Sequence, residues 1–227
     1  MAARSTEEPG FQLTERDLLV LCDLMRFGPL RAEQLAERHD FKSERAAVDR
    51  LRKLKAHGFL GDYDFKTYRP TWKGAHATEM ELSQPGEPKD QLRHNIAVAD
   101  LARWLLKNEP DSEWVTEREL RHELLAQSHA KQISYRYSGV EHVPDGKLIL
   151  PGGAAAVELE LTKKASPKYD LICRWFGQAL AYRWFRWYVK GHELEDRLIK
   201  SRDRHDLAEF MSVEQVPSAV RVLSWTG

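Results

Sequence analysis

"LTERDLLVLCDLMRFGPLRAEQLAERHDFKSERAAVDRLRKLKAHGFLGDYDFKTYRPTWKG", residues 13–74, holds the pattern that decides the fold of the amino-terminal third. Thr14 is placed to cap a helix, with Asp17 three residues on in the reciprocal capping position. Leu18, Leu21, Cys22 and Met25 then recur at helical spacing, and Gly28 ends the run. Ala32, Leu35 and Ala36 mark a short second helix that stops near His39 and Asp40. A third follows Phe41, with Ser43 as the residue whose hydroxyl can cap the free amides. Val48, Leu51 and Leu54 share its inner face, while Arg45, Arg50 and Lys53 fall outward or at its edges. Gly58 closes that helix. Leu60 to Pro70 alternates enough for a small hairpin around Asp62, Tyr63 and Asp64.

Helix, short helix, basic helix and hairpin in that order predict a winged helix-turn-helix over residues 11–80. A helix like the third fits the major groove, and a basic hairpin beside it reaches backbone phosphate. Three stretches, "LTERDLLVLCDLMRFGPLRAEQLAE", "RLRKLKAHGFL" and "YRPTWKGAHAT", resemble the winged-helix domains of bacterial regulators. In such regulators the residues matching Ser43 to Lys53 enter or border the major groove, and those matching Lys66 to Lys73 form the wing and its exit. The resemblance therefore implies duplex contacts from Ser43, Arg45, Arg50, Lys53, Lys66, Arg69 and Lys73. Winged helices also serve as protein-interaction modules, and in the competing reading the basic residues merely solvate helix three. Glu44 and Asp49 count against a strong phosphate-binding face.

The charge balance sharpens this. Thirty-five Lys and Arg offset 35 Asp and Glu, so a uniformly basic nucleic-acid coat is excluded. Between Lys42 and Lys73, however, nine Lys or Arg stand against four Asp or Glu. Cys22 and Cys173 are the only cysteines, each preceded by an apolar residue and lying in separate expected elements, which favours two reduced thiols over a disulfide and offers no Cys-x-x-Cys pair for zinc. Met1 to Gly10 lacks an apolar run resembling a signal peptide, and no apolar segment reaches membrane-spanning length. A cytoplasmic protein with no membrane partner is the expectation.

"ELSQPGEPKDQ", residues 81–91, reads as a linker because prolines, glycine and charges make a poor core element. Residues 92–227 then form a second domain. Leu92 to Leu106 is helical, with Ile96, Ala97, Val98, Leu101, Trp104 and Leu105 on a broad apolar face; His94 near its start either approaches an active site or phosphate or, as preferred, is a helix-start hydrogen-bonding residue. Trp114 to Thr116 suits a short strand, Glu117 to Leu125 a charged helix, and Gln127 to Gly139 irregular chain. Lys147 to Leu150 and Ala155 to Thr162 read as neighbouring strands joined through "PGGAA". Pro167 to Ala181 looks helical, and Tyr182 to Val189, rich in aromatics, is read as a strand. Leu194 to Phe210 is helical material, and Ala219 to Trp225 a last strand. The fold class is α+β: a winged helix-turn-helix followed by a mixed α/β domain. The aromatics between Trp175 and Tyr188 fit a core plus a dimer interface better than a base-stacking platform.

One constellation carries chemistry. Pro144 and Asp145 precede one strand, while Glu158 and Glu160 lie two apart, hence on one face, of the next. Three such carboxylates can converge on a hard divalent cation that activates water for phosphoryl transfer. Lys163 and Lys164 follow. These residues resemble the PD-(D/E)xK nuclease superfamily, which makes the second domain restriction-endonuclease-like. The resemblance places its metal ligands on Asp145 and Glu158 and its lysine on Glu160, where this chain reads "ELE". An active enzyme would use Mg2+ or Mn2+ at Asp145 and Glu158, Glu160 as an auxiliary acid and Lys163 as a phosphate clamp. The opposing reading is a sheet end whose acids face water or pair with Arg and Lys, including a catalytically dead descendant, with no cofactor.

The winged helix, "RHNIAVADLARWL", "HVPDGKLIL" and "AVELELTKK" together resemble the plasmid and phage replication-relaxation family. That resemblance implies an accessory role in mobile-element replication or mobilisation. The expected protein is a sequence-specific double-stranded DNA-binding regulator or accessory factor without catalysis, acting as a homodimer and meeting replication or mobilisation proteins. The alternative is a divalent-metal-dependent DNA nuclease.

Overall fold

The computed structural model describes residues 11–63, 66–85, 89–130 and 142–222. The chain divides between residues 86 and 87 into two compact units, a boundary inside the Pro-rich stretch 81–91. Overall it is a mixed α/β architecture.

In the first unit, helix α1 (Glu15–Phe27) starts as its capping residues dictate. The Asp17 amide donates to the Thr14 hydroxyl at 3.3 Å, and the Thr14 amide donates back to the Asp17 carboxylate at 2.7 Å. Gly28 takes a φ of 82° to end the helix. Strand β1 (Leu30–Arg31) leads into α2 (Ala32–Arg38) and then α3 (Glu44–Ala56), whose cap Ser43 accepts from the Ala46 amide at 3.2 Å. Strands β2 (Leu60–Tyr63) and β3 (Thr67–Pro70) form the hairpin, and β1 pairs on the far side of β3. The hairpin tip, including Asp64, lies outside the described residues. Leu21, Leu24, Leu35, Leu51, Leu54 and Leu60 are buried together with Val20 and Met25, each large side chain contributing about 1.5–3 kcal/mol of burial.

A short helix, α4 (Trp72–Ala77), follows the hairpin, where the sequence suggested only the wing's exit. Thr71 caps it and also donates to the Gly58 carbonyl at 2.5 Å. Gly74 is required there, since a Cβ would lie 2.1 Å from the Phe59 carbonyl oxygen.

The second unit opens with α5 (Lys89–Asn108), β4 (Glu113–Thr116) and α6 (Glu117–Ala130). It continues with β5 (Gly146–Leu150), β6 (Gly153–Glu160), α7 (Ser166–Phe176), β7 (Trp184–Val189), α8 (His192–Arg204) and β8 (Met211–Gln215). The strands lie in the order β4-β5-β6-β7-β8, antiparallel through β6 and parallel from β6 to β8. The β5–β6 reversal runs through Gly152 and Gly153, both at positive φ. Parallel neighbours need crossover connections, which α7 and α8 supply. Ala156, Phe185, Trp187, Val189 and Met211 pack against Tyr169, Ile172, Cys173, Phe176, Leu194 and Leu198 in one core. On the other face Tyr188 meets Trp104 of α5 edge-on. Most of the aromatic run is thus core. Both cysteines are free.

Several boundaries differ from expectation. No strand forms over 219–222, and residues 223–225 lie outside the described residues. The fifth strand is Met211–Gln215, whose sequence hides it because an edge strand keeps polar, partly exposed residues. The apolar Val220 is buried without a ladder; beside it the Arg221 amide and guanidinium bind the Asp100 carboxylate at 2.7–3.1 Å. The helices expected to run to Ala181 and Phe210 end at Phe176 and Arg204. Helix α6 instead runs past Leu125 to Ala130, and the remaining stretch 131–139, read as irregular, lies outside the described residues. No described helix is long and apolar enough to cross a membrane.

Candidate functional site

The β5–β6 hairpin sets the geometry. Gly146 pairs with Val157, so Asp145 stands one step before the ladder, across from Glu158. Its Oδ2 accepts from the Leu159 amide at 2.8 Å, and its Oδ1 lies 2.9 Å from His94 Nε2 on α5. Glu158 and Glu160 share the α7–α8 face of β6 and are buried, at 5% and 3% exposure. Glu158 Oε1 is 2.6 Å from His142 Nε2. Glu160 Oε2 is 2.7 Å from Lys164 Nζ. Gly146 leaves room for this arrangement: a Cβ there would sit 1.9 Å from the Trp114 ring.

Two expectations change. Lys163 does not approach the acids; its ammonium reaches Glu193 on α8 at 2.5 Å. Lys164 is the ammonium at the site, because its amide donates to the buried Tyr169 hydroxyl at 2.8 Å and so turns its side chain the other way from that of Lys163. Period two counted on from Glu158 and Glu160 already sets Lys163 on the opposite side and Lys164 on theirs, although β6 itself ends at Glu160. His94, read as a helix-start residue, is instead a partner of Asp145. His142 was missed: it lies upstream of Pro144 with no periodic signal to place it.

The electrostatics are those of a crowded cluster whose glutamates are buried while its basic groups stay partly exposed, His94 at 31% and Lys164 at 41%. Burial works to lower the His94 pKa, but Asp145 outweighs it, with help from Glu158, and lifts it to about 9. Burial likewise opposes the charge on Asp145, yet His94 and the Leu159 amide hold that carboxyl below its usual range. Glu158 is pushed up to about 7 by burial and then by the Asp145 charge, with His142 pulling the other way. His142 is itself raised, its burial outweighed by Glu158. Glu158's upward direction follows from its near-complete burial beside Asp145. Glu160 is raised by burial against Lys164, and Lys164 is raised by Glu160 despite burial.

A divalent ion at Asp145 and Glu158 is what the nuclease resemblance implies. The donor set does not fit it. Both Asp145 oxygens carry hydrogen bonds, and Glu158 and Glu160 each face a basic side chain. Among the described residues no group of three or more His, Cys, Asp or Glu is placed to hold a metal ion.

The residues expected at duplex DNA, all in the first unit, divide into two sets. Arg45 and Lys53 are exposed on α3, and Lys66 is exposed beside β3 at a φ of 57°. Ser43 serves as the α3 cap. Arg50 is not outward: it forms an ion pair with Asp17, which is 1% exposed, and its guanidinium lies over the Phe11 ring. Arg69 stacks over Tyr63, and Lys73 donates to the His57 carbonyl at 2.9 Å and lies over Phe59. Four of the seven, Ser43, Arg50, Arg69 and Lys73, are thus engaged within the fold.

No family model and no curated protein matches the chain. Among solved structures it is weakly similar to restriction endonuclease FokI bound to DNA, at 15% identity and a TM-score of 0.30, covering 93% of this chain and 45% of that one. It also matches an O-methyltransferase, NcsB1, from neocarzinostatin biosynthesis in complex with S-adenosyl-L-homocysteine. That match has 11% identity and a TM-score of 0.21, covering 89% of this chain and 67% of that one. The chain spans under half of the endonuclease's length, and similarities at these scores carry no argument.

Proposed function

We propose that the chain is a double-stranded DNA-binding protein whose first unit is a winged helix-turn-helix and whose second unit is a restriction-endonuclease-like core without catalysis. The observation that supports it is the exposed side of α3. Arg45, Asp49, Arg52 and Lys53 are all exposed there, while Ala47, Leu51 and Leu54 are buried behind them. Arg52 is shared with Asp49 at 3.4 Å and Lys55 is paired with Asp62, which leaves Arg45 and Lys53 for phosphate or base edges. The replication-relaxation resemblance supplies the setting, a regulator or accessory factor in mobile-element replication or mobilisation in the cytoplasm. A homodimer would let paired α3 helices read an inverted repeat. The test is an electrophoretic mobility assay with a representative duplex library. Retarded complexes that dissolve as salt rises support the reading, and no duplex bound at low salt rejects it.

The nuclease alternative keeps one favourable observation, the opposition of Asp145 and Glu158 with Lys164 beside them. A cleavage assay in Mg2+ or Mn2+ on supercoiled, linear and single-stranded DNA decides it. Cutting abolished by both Asp145→Ala and Glu158→Ala would replace the non-catalytic reading.

A further inference from the structure

Three separate segments deliver one basic group to each acid of the β5–β6 cluster. His94 comes from α5, His142 from the chain ahead of Pro144, and Lys164 from the loop after β6. The contacts are one to one: 2.9 Å to Asp145 Oδ1, 2.6 Å to Glu158 Oε1 and 2.7 Å to Glu160 Oε2. A hard divalent ion needs carboxylate oxygens at about 2.0–2.6 Å, with water or further oxygens completing its shell. Here the approaches to those oxygens are filled by nitrogen.

We infer that His94, His142 and Lys164 are internal replacements for a divalent cation, with His94 at Asp145 as the decisive one. His94 Nε2 sits at Asp145 Oδ1, an oxygen that an ion would need, and the Leu159 amide holds the other oxygen. The ion must therefore expel His94 before it can bind. Once His94 is removed, Asp145 keeps only the Leu159 amide as a hydrogen-bond partner, while Glu158 across the hairpin keeps His142, so the charge left short of a partner is that of Asp145. That is a divalent-cation site, latent in this chain. The inference goes beyond the duplex-binding reading and stands or falls separately from it, because it concerns only the second unit and its test uses no DNA.

The probe is Mn2+ added to the full chain, with free ion counted by electron paramagnetic resonance and folding checked by near-ultraviolet circular dichroism. His94→Ala should bind Mn2+ about ten- to a hundredfold more tightly than wild type, the range over which groups around a metal alter its affinity. His94→Gln, which keeps a neutral N–H donor, should fall between the two. Adding Asp145→Asn to His94→Ala should return binding to the wild-type level. The inference is overturned if wild type already binds Mn2+ as tightly as the folded His94 variants. It is equally overturned if the gain persists without Asp145. If His94→Ala does not fold, the comparison of wild type with His94→Gln decides alone, and equal binding sinks the idea.

Discussion

The outer face of α3 and the β5–β6 hairpin both carry clustered charges, to opposite ends. On α3 the charges are local and wet: Asp49 meets Arg52 three residues on, and Arg45 and Lys53 point into solvent. On the hairpin they are remote and largely buried. His94 is 51 positions from Asp145 in the chain, and Glu158 and Glu160 are nearly inaccessible. Solvated charges are available to a partner and contribute little to stability. Buried ones are committed to each other, and removing one partner is costly because the other is left uncompensated. Charge in the first region is therefore read as binding surface, and in the second as internal structure.

The largest expected effect breaks the hairpin cluster. Asp145→Ala leaves the His94 ring and the Leu159 amide without their acceptor and should cost about 3–5 kcal/mol in urea denaturation, as for other broken buried pairs. A loss below about 1 kcal/mol would mean that the cluster is solvated after all. Asp17→Ala comes next. It removes both the α1 cap partner and the acceptor for Arg50, and should cost about 2–4 kcal/mol by combining a lost buried ion pair with a lost cap. Gly146→Ala, which drives a methyl into the Trp114 ring, should cost about 1–3 kcal/mol as overpacking, with the tryptophan fluorescence shifting on the same variant. Arg45→Ala, in contrast, should stay within about 0.5 kcal/mol of wild type.

Acidity provides a gentler probe of the same contrast. The folded state raises His94 from 6.5 to about 9, so it binds this proton more tightly than the unfolded chain does. The resulting stabilisation is complete below pH 6.5 and is lost as pH rises through about 9. Glu158, raised from 4.5 to about 7, acts with the same sign, its contribution fading as pH rises through about 7. Asp145, held low, contributes above its unfolded value of 3.8 and loses that contribution in acid. The urea midpoint should therefore decline from pH 6.5 to 9 in wild type and flatten in His94→Gln over that interval. An unchanged slope in the variant would assign the decline elsewhere.

How far the sequence could be read follows the same division. Thr14, Asp17, Ser43 and Gly58 act within a few residues of themselves, so the capping and ends of α1 and α3 were legible. Leu21, Met25, Leu51 and Leu54 declare helix faces by period, whereas Leu18, Cys22 and Val48, expected on those faces, are only half-buried. Asp145, Glu158 and Glu160 were found because strand alternation and the turn glycines place them. Their partners were not, since nothing local links His94 or His142 to acids on another element. The lysine was legible in part: alternation from Glu158 and Glu160 sets Lys163 on the other side, and it is Lys164, its amide held by the Tyr169 hydroxyl, that reaches Glu160. Arg50 shows the reverse failure: a basic residue at a helix edge reads as a binding residue until Asp17 is placed beside it. Strand β8 was missed because MSVEQ carries only two apolar residues, whereas the chain from Ala219 onward looks more like a strand than the structure makes it.

The central claim, that exposed α3 charges bind a duplex, is tested most directly by the salt dependence of affinity. Fluorescence anisotropy of a bound duplex should be followed over a range of salt for wild type and for Arg45→Ala/Lys53→Ala. If those two side chains each neutralise a phosphate, the slope of log affinity against log salt should become shallower by about 2 in the double variant, with its fold stability unchanged. An identical slope and affinity in the double variant would contradict the account.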